Sequence, residues 1–250
     1  MRDRQRAEST TFEGTPSDAA PDILATGRTD VTTVFVSMSA RHPEGRDAEY
    51  LRWHTLDHRP EQHRLTGLRG SFRLVSTPEC RSARAAADGR FDAADHVMTY
   101  LFNDRVALDR FFALGKALGA AGRMSIALPR VDISVYELAG TVAAARAVVG
   151  ADVVPWRPSL GAYVLIEEGS ADAGDLAGVD GVIGAWWGTS ASDEGASTQI
   201  TFCFLDDDPV SSADRLRPVL EKRWGDGATA PLFAAPFHSV VPYAWERYLP

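Results

Sequence analysis

The stretch Tyr50-Leu51-Arg52-Trp53-His54-Thr55-Leu56-Asp57-His58-Arg59-Pro60 gathers the side chains of this sequence best suited to chemistry. Tyr50, Trp53, His54, Asp57 and His58 stand at i, i+3, i+4, i+7 and i+8, which a helix turns into one face. Such a face is an aromatic wall carrying one or two imidazoles. Imidazole titrates near neutrality, so His58, with His54 assisting, is the expected catalytic proton carrier: it takes a proton from an acidic carbon or hydroxyl and returns it elsewhere. Tyr50 and Trp53 are expected to line the pocket of an apolar, aromatic or polycyclic substrate. Arg73 or Tyr100, on strands that follow, can stabilise the enolate or phenolate oxygen that proton removal creates. Asp57 neighbours His58 in sequence and so points partly away from it.

Other chemistries find less support. His54 and His58 have the i, i+4 spacing of helical metal ligands, but Thr55 stands where a zincin places glutamate, and a third ligand would have to come from elsewhere, such as Asp57 or His96; no metal site is expected. His58 is in principle able to ligate haem, yet nothing else in the sequence asks for it, and the expected cofactor is none. There is no phosphate-binding glycine loop, no dinucleotide fingerprint and no Gly-x-Ser-x-Gly elbow. Cys80 and Cys203 make no disulfide framework; Cys203 reads as a small buried hydrophobe, and no base stands beside Cys80. His42, His63, His96 and His238 are isolated and read as surface or capping residues. Arg81, Arg84 and Arg90 fall in a polar stretch that reads as a solvated loop, with a lid over an anionic substrate group as the sharper alternative.

The elements that must position these residues are visible in the hydrophobic pattern. Thr33–Met38 alternates and reads as a strand. Asp47 to about Arg64 reads as a helix with Pro60 breaking or kinking it near its end. Leu68–Ser76 alternates, with Leu68, Phe72 and Leu74 on one face and Arg69, Ser71 and Arg73 on the other. After a long loop, Thr77–Asp95, come a strand at Val97–Phe102, a helix capped by Asn103 or Asp104 with Leu108, Phe111, Phe112, Gly115 and Leu118 as its stripe, and a strand through Val131, Ile133 and Val135. The same order returns more weakly: strands at Ala162–Glu167, Gly181–Gly188, Thr198–Leu205 and Phe237–Tyr243, a short helix at Asp172–Leu176, and a full helix starting at Asp207 or Ser211. A five-residue echo, Thr66–Gly70 against Ala177–Gly181, marks the entry to the second strand of each half.

The expected fold class is therefore α+β: two ferredoxin-like βαββαβ halves packed sheet to sheet as a single-chain dimeric α/β barrel, because each sheet has one face bare of helices. The expected organisation is a flexible polar tail at 1–30, a first half at 31–140, a linker at 141–160 containing an Ala/Val-rich short helix, and a degenerate second half at 161–250. A formal net charge of -8 without a long charged block argues against nucleic acid or an anionic membrane as partner. No apolar run is long enough to span a bilayer, and the paired cysteine count suits a reducing cytoplasm. Because the chain supplies its own partner sheet, a monomer or a homodimer is expected.

The quoted stretch, followed by Gly67-Leu68-Arg69, resembles the signature of EthD-like proteins in the dimeric α/β barrel superfamily. On that resemblance Tyr50 and Trp53 stand for the family's helix aromatics, His58 for its histidine, Pro60 for its proline and Gly67 for its turn glycine. His54 departs from the pattern, occupying a place where a second aromatic is usual. The resemblance covers the first half; the second half is similar in element order only. The superfamily includes polyketide cyclases, monooxygenases without metal or flavin, lactone isomerases, some haem enzymes and proteins with no known activity; the leading expectation is a cofactor-independent small-molecule enzyme: an isomerase, cyclase, dehydratase or cofactor-free oxygenase. The alternative is a non-catalytic protein of the same fold that binds a hydrophobic ligand or an interaction partner.

Overall fold

The computed structural model describes residues 29–190 and 197–248. The expected tail, 1–30, lies outside the described residues except for Thr29, whose backbone N–H donates to Asp152, and Asp30, which pairs with Arg69. In chain order the elements are β1 (Thr33–Ser39), α1 (Asp47–Trp53), a π-helical turn (His54–His58), α2 (Arg59–Gln62), β2 (Leu68–Val75), α3 (Pro78–Ser82), β3 (Ala86–Ala87), β4 (His96–Phe102), α4 (Val106–Ala120) and β5 (Arg130–Ala143). After a 3-10 turn (Ala151–Trp156) follow β6 (Gly161–Gly169), a second 3-10 turn (Gly174–Gly178), β7 (Val182–Ser190), β8 (Thr198–Leu205), α5 (Pro209–Gly225), β9 (Thr229–Ser239) and a last 3-10 turn (Trp245–Tyr248).

The strands run β2-β4-β1-β5-β7-β8-β6-β9-β3, and β2 also pairs with β9, so the sheet closes on itself. Each half has the antiparallel order of a ferredoxin-like unit: β2-β4-β1-β5 in the first and β7-β8-β6-β9 in the second. The seams are unequal. Glu137–Ala143 of β5 pairs along β7, whereas β2 meets β9 only through Leu74 and Val75. Closure leaves no long open edge for another chain to pair with.

Alternation decides what fills the barrel. Val34, Val36 and Met38 of β1, Val97 and Leu101 of β4, and Leu74 of β2 point inward, where they meet Val164, Ile166, Ile200, Phe202, Phe204 and Phe237 from the other half. The Phe72 ring sits 5.2 Å from Phe202 and 5.4 Å from Phe204, edge to face, so the two sheets interlock and the centre is solid. The opposite face of the first half carries Phe35, Met98, Tyr100 and Phe102 toward α4, with Phe111 4.6 Å from Tyr100.

Several local expectations are corrected. Leu68 does not share a face with Phe72 and Leu74: the register slips between Leu68 and Gly70, and this bulge turns Leu68 outward among Met98, Tyr100 and Phe102. The last strand begins at Thr229 and ends at Ser239, while Tyr243 lies beyond it with φ 68°. The Ala/Val-rich helix expected at the start of the linker is absent, because Val142 and Ala143 still belong to β5. Asp208, not Asp207 or Ser211, caps α5, its carboxylate accepting from the Ser211 N–H at 2.9 Å. The stretch from Thr77 to Asp95 is not a plain loop: α3 and β3 form within it, and Arg81 and Arg84 both bind Asp95, while the Arg81 and Arg90 side chains stay about half exposed. The five-residue echo is out of step with the geometry. The positive-φ glycines that lead into β2 and β7 are Gly67 (φ 98°) and Gly181 (φ 92°), three residues off the echo's own register.

Candidate functional site

The helix that carries the imidazoles is widened where they sit. Pro60 has no N–H to give to the turn before it, and its ring crowds the carbonyl at i−4. The chain relieves this with a π-helical turn over His54–His58, in which the Arg59 N–H reaches back to the His54 carbonyl. Pro60 thus widens the helix rather than breaking it. The slower rotation per residue keeps Tyr50, His54, His58 and Gln62 on one face, so His54 and His58 lie 5.4 Å apart and His58 stacks on Trp53 at 5.1 Å.

This face looks onto the outer side of the first-half sheet, not into the barrel. Between them lies a half-open cavity of about 390 Å³, lined by Tyr50, Trp53, His54, His58, Gln62, Arg73, His96 and Tyr100, with Phe111, Phe112, Met124, Ile126 and Ile133 completing it. All six residues singled out from the sequence (His54, His58, Tyr50, Trp53, Arg73 and Tyr100) therefore border one space. Its outer wall is latched. Trp53 Nε1 donates to the Arg123 carbonyl at 3.2 Å, and the Arg123 guanidinium bonds to Asp57 at 2.8 Å. Asp57 faces this surface pair and is not among the residues that line the cavity.

Burial sets the protonation of the imidazoles. Desolvation, reinforced by the Arg73 charge, holds His54 well below the ordinary imidazole pKa and His58 below it, so both rings are neutral at pH 7. Gln62 Nε2 donates to His58 Nε2 at 3.1 Å, and His54 Nε2 lies 3.3 Å from the Tyr100 hydroxyl. Burial raises the Tyr100 pKa, keeping that hydroxyl protonated and able to donate. The Nδ1 atoms of His54 and His58 are buried without a partner. Arg73, 5% exposed, donates to the Tyr50 hydroxyl at 2.9 Å, and its Nε has no partner.

Two polar members of the imidazole cluster, His96 and Gln62, are not legible as such in the sequence. His96, expected at the surface, is 1% exposed, lines the cavity and bonds through Nε2 to Asp47 at 2.7 Å. Asp47 also accepts from the His42 N–H, and burial outweighs the Asp47 bond to hold His96 down at about 4. Gln62 was overlooked too, although it continues the helical face four residues beyond His58. Of the other isolated histidines, His42 accepts from the Glu44 N–H, a local cap as expected, while His63 is within 2.7 Å of Ser71 Oγ.

The second half has no counterpart among the described residues. Its helix-facing side is filled by Tyr163, Leu165, Leu176, Cys203, Leu205, Leu216 and Leu220. A buried ion pair sits beside them: Arg223 Nε lies 2.9 Å from Glu167, which also accepts from Trp224 and Thr229.

No family model matches the chain, and no curated protein matches it. Solved structures do. A variant of DypB from Rhodococcus jostii in complex with heme aligns at TM-score 0.55 and 10% identity, over 89% of this chain and 97% of that one. A dye-decolorizing peroxidase from Bacteroides thetaiotaomicron gives TM-score 0.52 and 10% identity, over 84% and 93%. A putative chlorite dismutase gives 0.50 and 11%, over 88% and 100%. At such identity the likeness is one of fold: the chain has the dimeric α+β barrel architecture. A haem axial histidine needs one ring nitrogen open to the cavity and the other on an acceptor that fixes it. His54 and His58 offer the reverse, with Nε2 engaged by Tyr100 or Gln62 and Nδ1 sealed in the wall; His96 has Nε2 fixed by Asp47 but its Nδ1 is buried, so none of the three presents an open nitrogen to haem as arranged. Among the described residues no group of His, Cys, Asp and Glu is placed to hold a metal ion. No helix among them is long and apolar enough to cross a membrane.

Proposed function

We propose that the chain is a small-molecule enzyme working by imidazole acid/base chemistry on an apolar aromatic carbonyl or phenol, within the range of isomerases, cyclases, dehydratases and cofactor-independent oxygenases. The observation that carries this reading is the pair of buried, neutral imidazoles in the wall of an open aromatic cavity of about 390 Å³. A neutral imidazole is already a base at neutral pH and needs no activation. His58 takes the proton through Nε2, the nitrogen now occupied by the exchangeable amide of Gln62. The electron pair left on the substrate moves to its oxygen, beside Tyr100 and Arg73, and the imidazolium gives the proton back at a second atom. His54, bonded to Tyr100, aligns that hydroxyl. Trp53 and Tyr50 hold the ring system. The open cavity also favours this reading over a filled pocket with His58 bonded to backbone, which a purely structural helix would give.

The same reading places the first half with EthD-like proteins, on Tyr50, Trp53, His58, Pro60 and Gly67, and treats the chain as a fused tandem of two halves with one working site. The experiment is proton exchange. Enolisable aryl ketones, with tetralone as the lead probe, are incubated with the protein in deuterium oxide and followed by proton NMR. His58→Ala is expected to slow exchange by about 10²-fold or more, and His54→Ala by less. Full exchange rates in both variants sink the assignment.

A further inference from the structure

Among the described residues the other fully buried arginine, Arg223, is paired with Glu167, and the less buried Arg84 and Arg41 also reach carboxylates, Arg84 at Asp95 and Arg41 between Asp47 and Asp95. Arg73 has no such partner. It is 5% exposed, yet among the described residues no carboxylate lies within 4.0 Å of it, and its one hydrogen bond goes to the neutral Tyr50 hydroxyl. Tyr50 also turns its ring face to the guanidinium, 4.8 Å from centroid to Cζ, which softens the charge without cancelling it. A guanidinium stays protonated in proteins, and a buried charge without a counter-ion is costly.

The rest of the lining points the same way. Lys116 and Arg130 stand on the cavity wall with Arg73, and no Asp or Glu is among the lining residues, although the chain as a whole carries a net charge of -8. Of the carboxylates close behind the wall, Asp47 is turned to His96 and Arg41, and Asp57 is turned to Arg123. The Asp47 bond fixes the Nε2–H tautomer of His96, and it leaves His96 Nδ1 as a buried acceptor without a partner. Arg73 Nε is a buried donor without a partner in the same wall.

We infer that the ligand of this cavity is an aromatic monoanion, a carboxylate or a phenolate, whose charged oxygen is received by Arg73 while its rings lie against Trp53 and Phe112. The inference rests on the cavity of the proposed function and names the class of compound it takes. The anion supplies the counter-charge that Arg73 lacks. An ionised oxygen on a guanidinium also makes a stronger, more directional bond than a neutral carbonyl does.

The test compares matched probes. Aryl carboxylates of one to three rings, with naphthoate as the lead, are titrated against the corresponding carboxamides by calorimetry at neutral pH, and quenching of tryptophan fluorescence that is lost in Trp53→Phe serves as a second readout. Naphthoate is expected to bind about tenfold tighter than naphthamide, or more. Arg73→Gln is expected to erase that preference while leaving naphthamide binding in place, and Arg73→Lys, which retains a charge, to restore part of it. Equal affinity for acid and amide in the wild-type protein would overturn the anion inference and leave the cavity reading standing. If no member of either series binds up to millimolar concentration, both fail. An acid preference that survives in a folded Arg73→Gln protein removes Arg73 from the role.

Discussion

Acid should weaken this protein at a pH where most carboxylates are still ionised, and the buried imidazoles set the size of the effect. His96 has an ordinary value of 6.5 and is held at about 4 in the fold. A histidine with a depressed folded-state pKa contributes full stability above its unfolded pKa. That stability is lost as pH falls, because the unfolded chain binds the proton and the folded one does not. Between about pH 7 and pH 5 the unfolded His96 goes from mostly neutral to almost fully charged, while the folded one stays neutral. The loss from this group alone is about 2 kcal/mol. His54 is held well below the same reference and adds to it with the same sign. Asp47, whose pKa is lowered from 3.8, loses its contribution further down the scale and does not account for a change in this window. Against a typical total of about 5–15 kcal/mol the expected loss is large. Urea unfolding followed by tryptophan fluorescence at several pH values measures it, with a constant m-value as the check that the compactness of the two states has not changed. His96→Asn should make the dependence visibly shallower. A stability that stays flat from pH 7 to pH 5 would mean that these rings are charged or wet in the fold, and the protonation states assigned to the cavity would be wrong.

Two further outcomes follow from the second half. Glu167→Gln removes the charge opposite Arg223 in a site where Glu167 is fully buried, and is expected to cost about 3 kcal/mol or more in urea unfolding. Replacing both partners by methionine should recover most of that, and a single-variant loss under about 1 kcal/mol would show that Arg223 finds water. Because the helix-facing side of the second half is filled, calorimetry with naphthoate is expected to give one site per chain, and two equal sites would contradict that packing.

What could be read from the sequence was whatever is local. Period-two alternation located the strand around Val34 and the strand around Val97, and period-three-to-four spacing located α4 and α5, because those patterns follow from which side of a single element is buried. The spacing from Tyr50 to His58 likewise brought four cavity residues together without any knowledge of the sheet. What escaped depends on distant partners. The bulge that turns Leu68 outward exists only in register with β4. The role of His96 depends on Asp47, 49 residues earlier in the chain, and nothing beside His96 announces that bond. Arg73 has a readable identity but not a readable face, since the strand patterns leave open which side of the sheet bears a cavity. The starting point of β9 was missed because Pro231 and Pro236 argue against a central strand. Phe233, Ala235 and Phe237 pack inward regardless.

The asymmetry between the halves has a physical logic. A polar cavity under a helix forfeits packing and leaves atoms such as His54 Nδ1 and Arg73 Nε unsatisfied, so it lowers stability where it stands. The first half tolerates this with a long helical connection, α1 through α2, held off the sheet by large rings. In the second half the corresponding connection is the 3-10 turn Gly174–Gly178, and Leu176 drops fully into the space a cavity would need. With Glu167 and Arg223 bonded across the remaining gap, that half has a close-packed outer layer in which the Tyr163 hydroxyl is left without a partner. The two sheets share one solid interior through Phe72, Phe202 and Phe204, so the rigid half supports the sheet on which the hollow half presents Arg73, His96 and Tyr100.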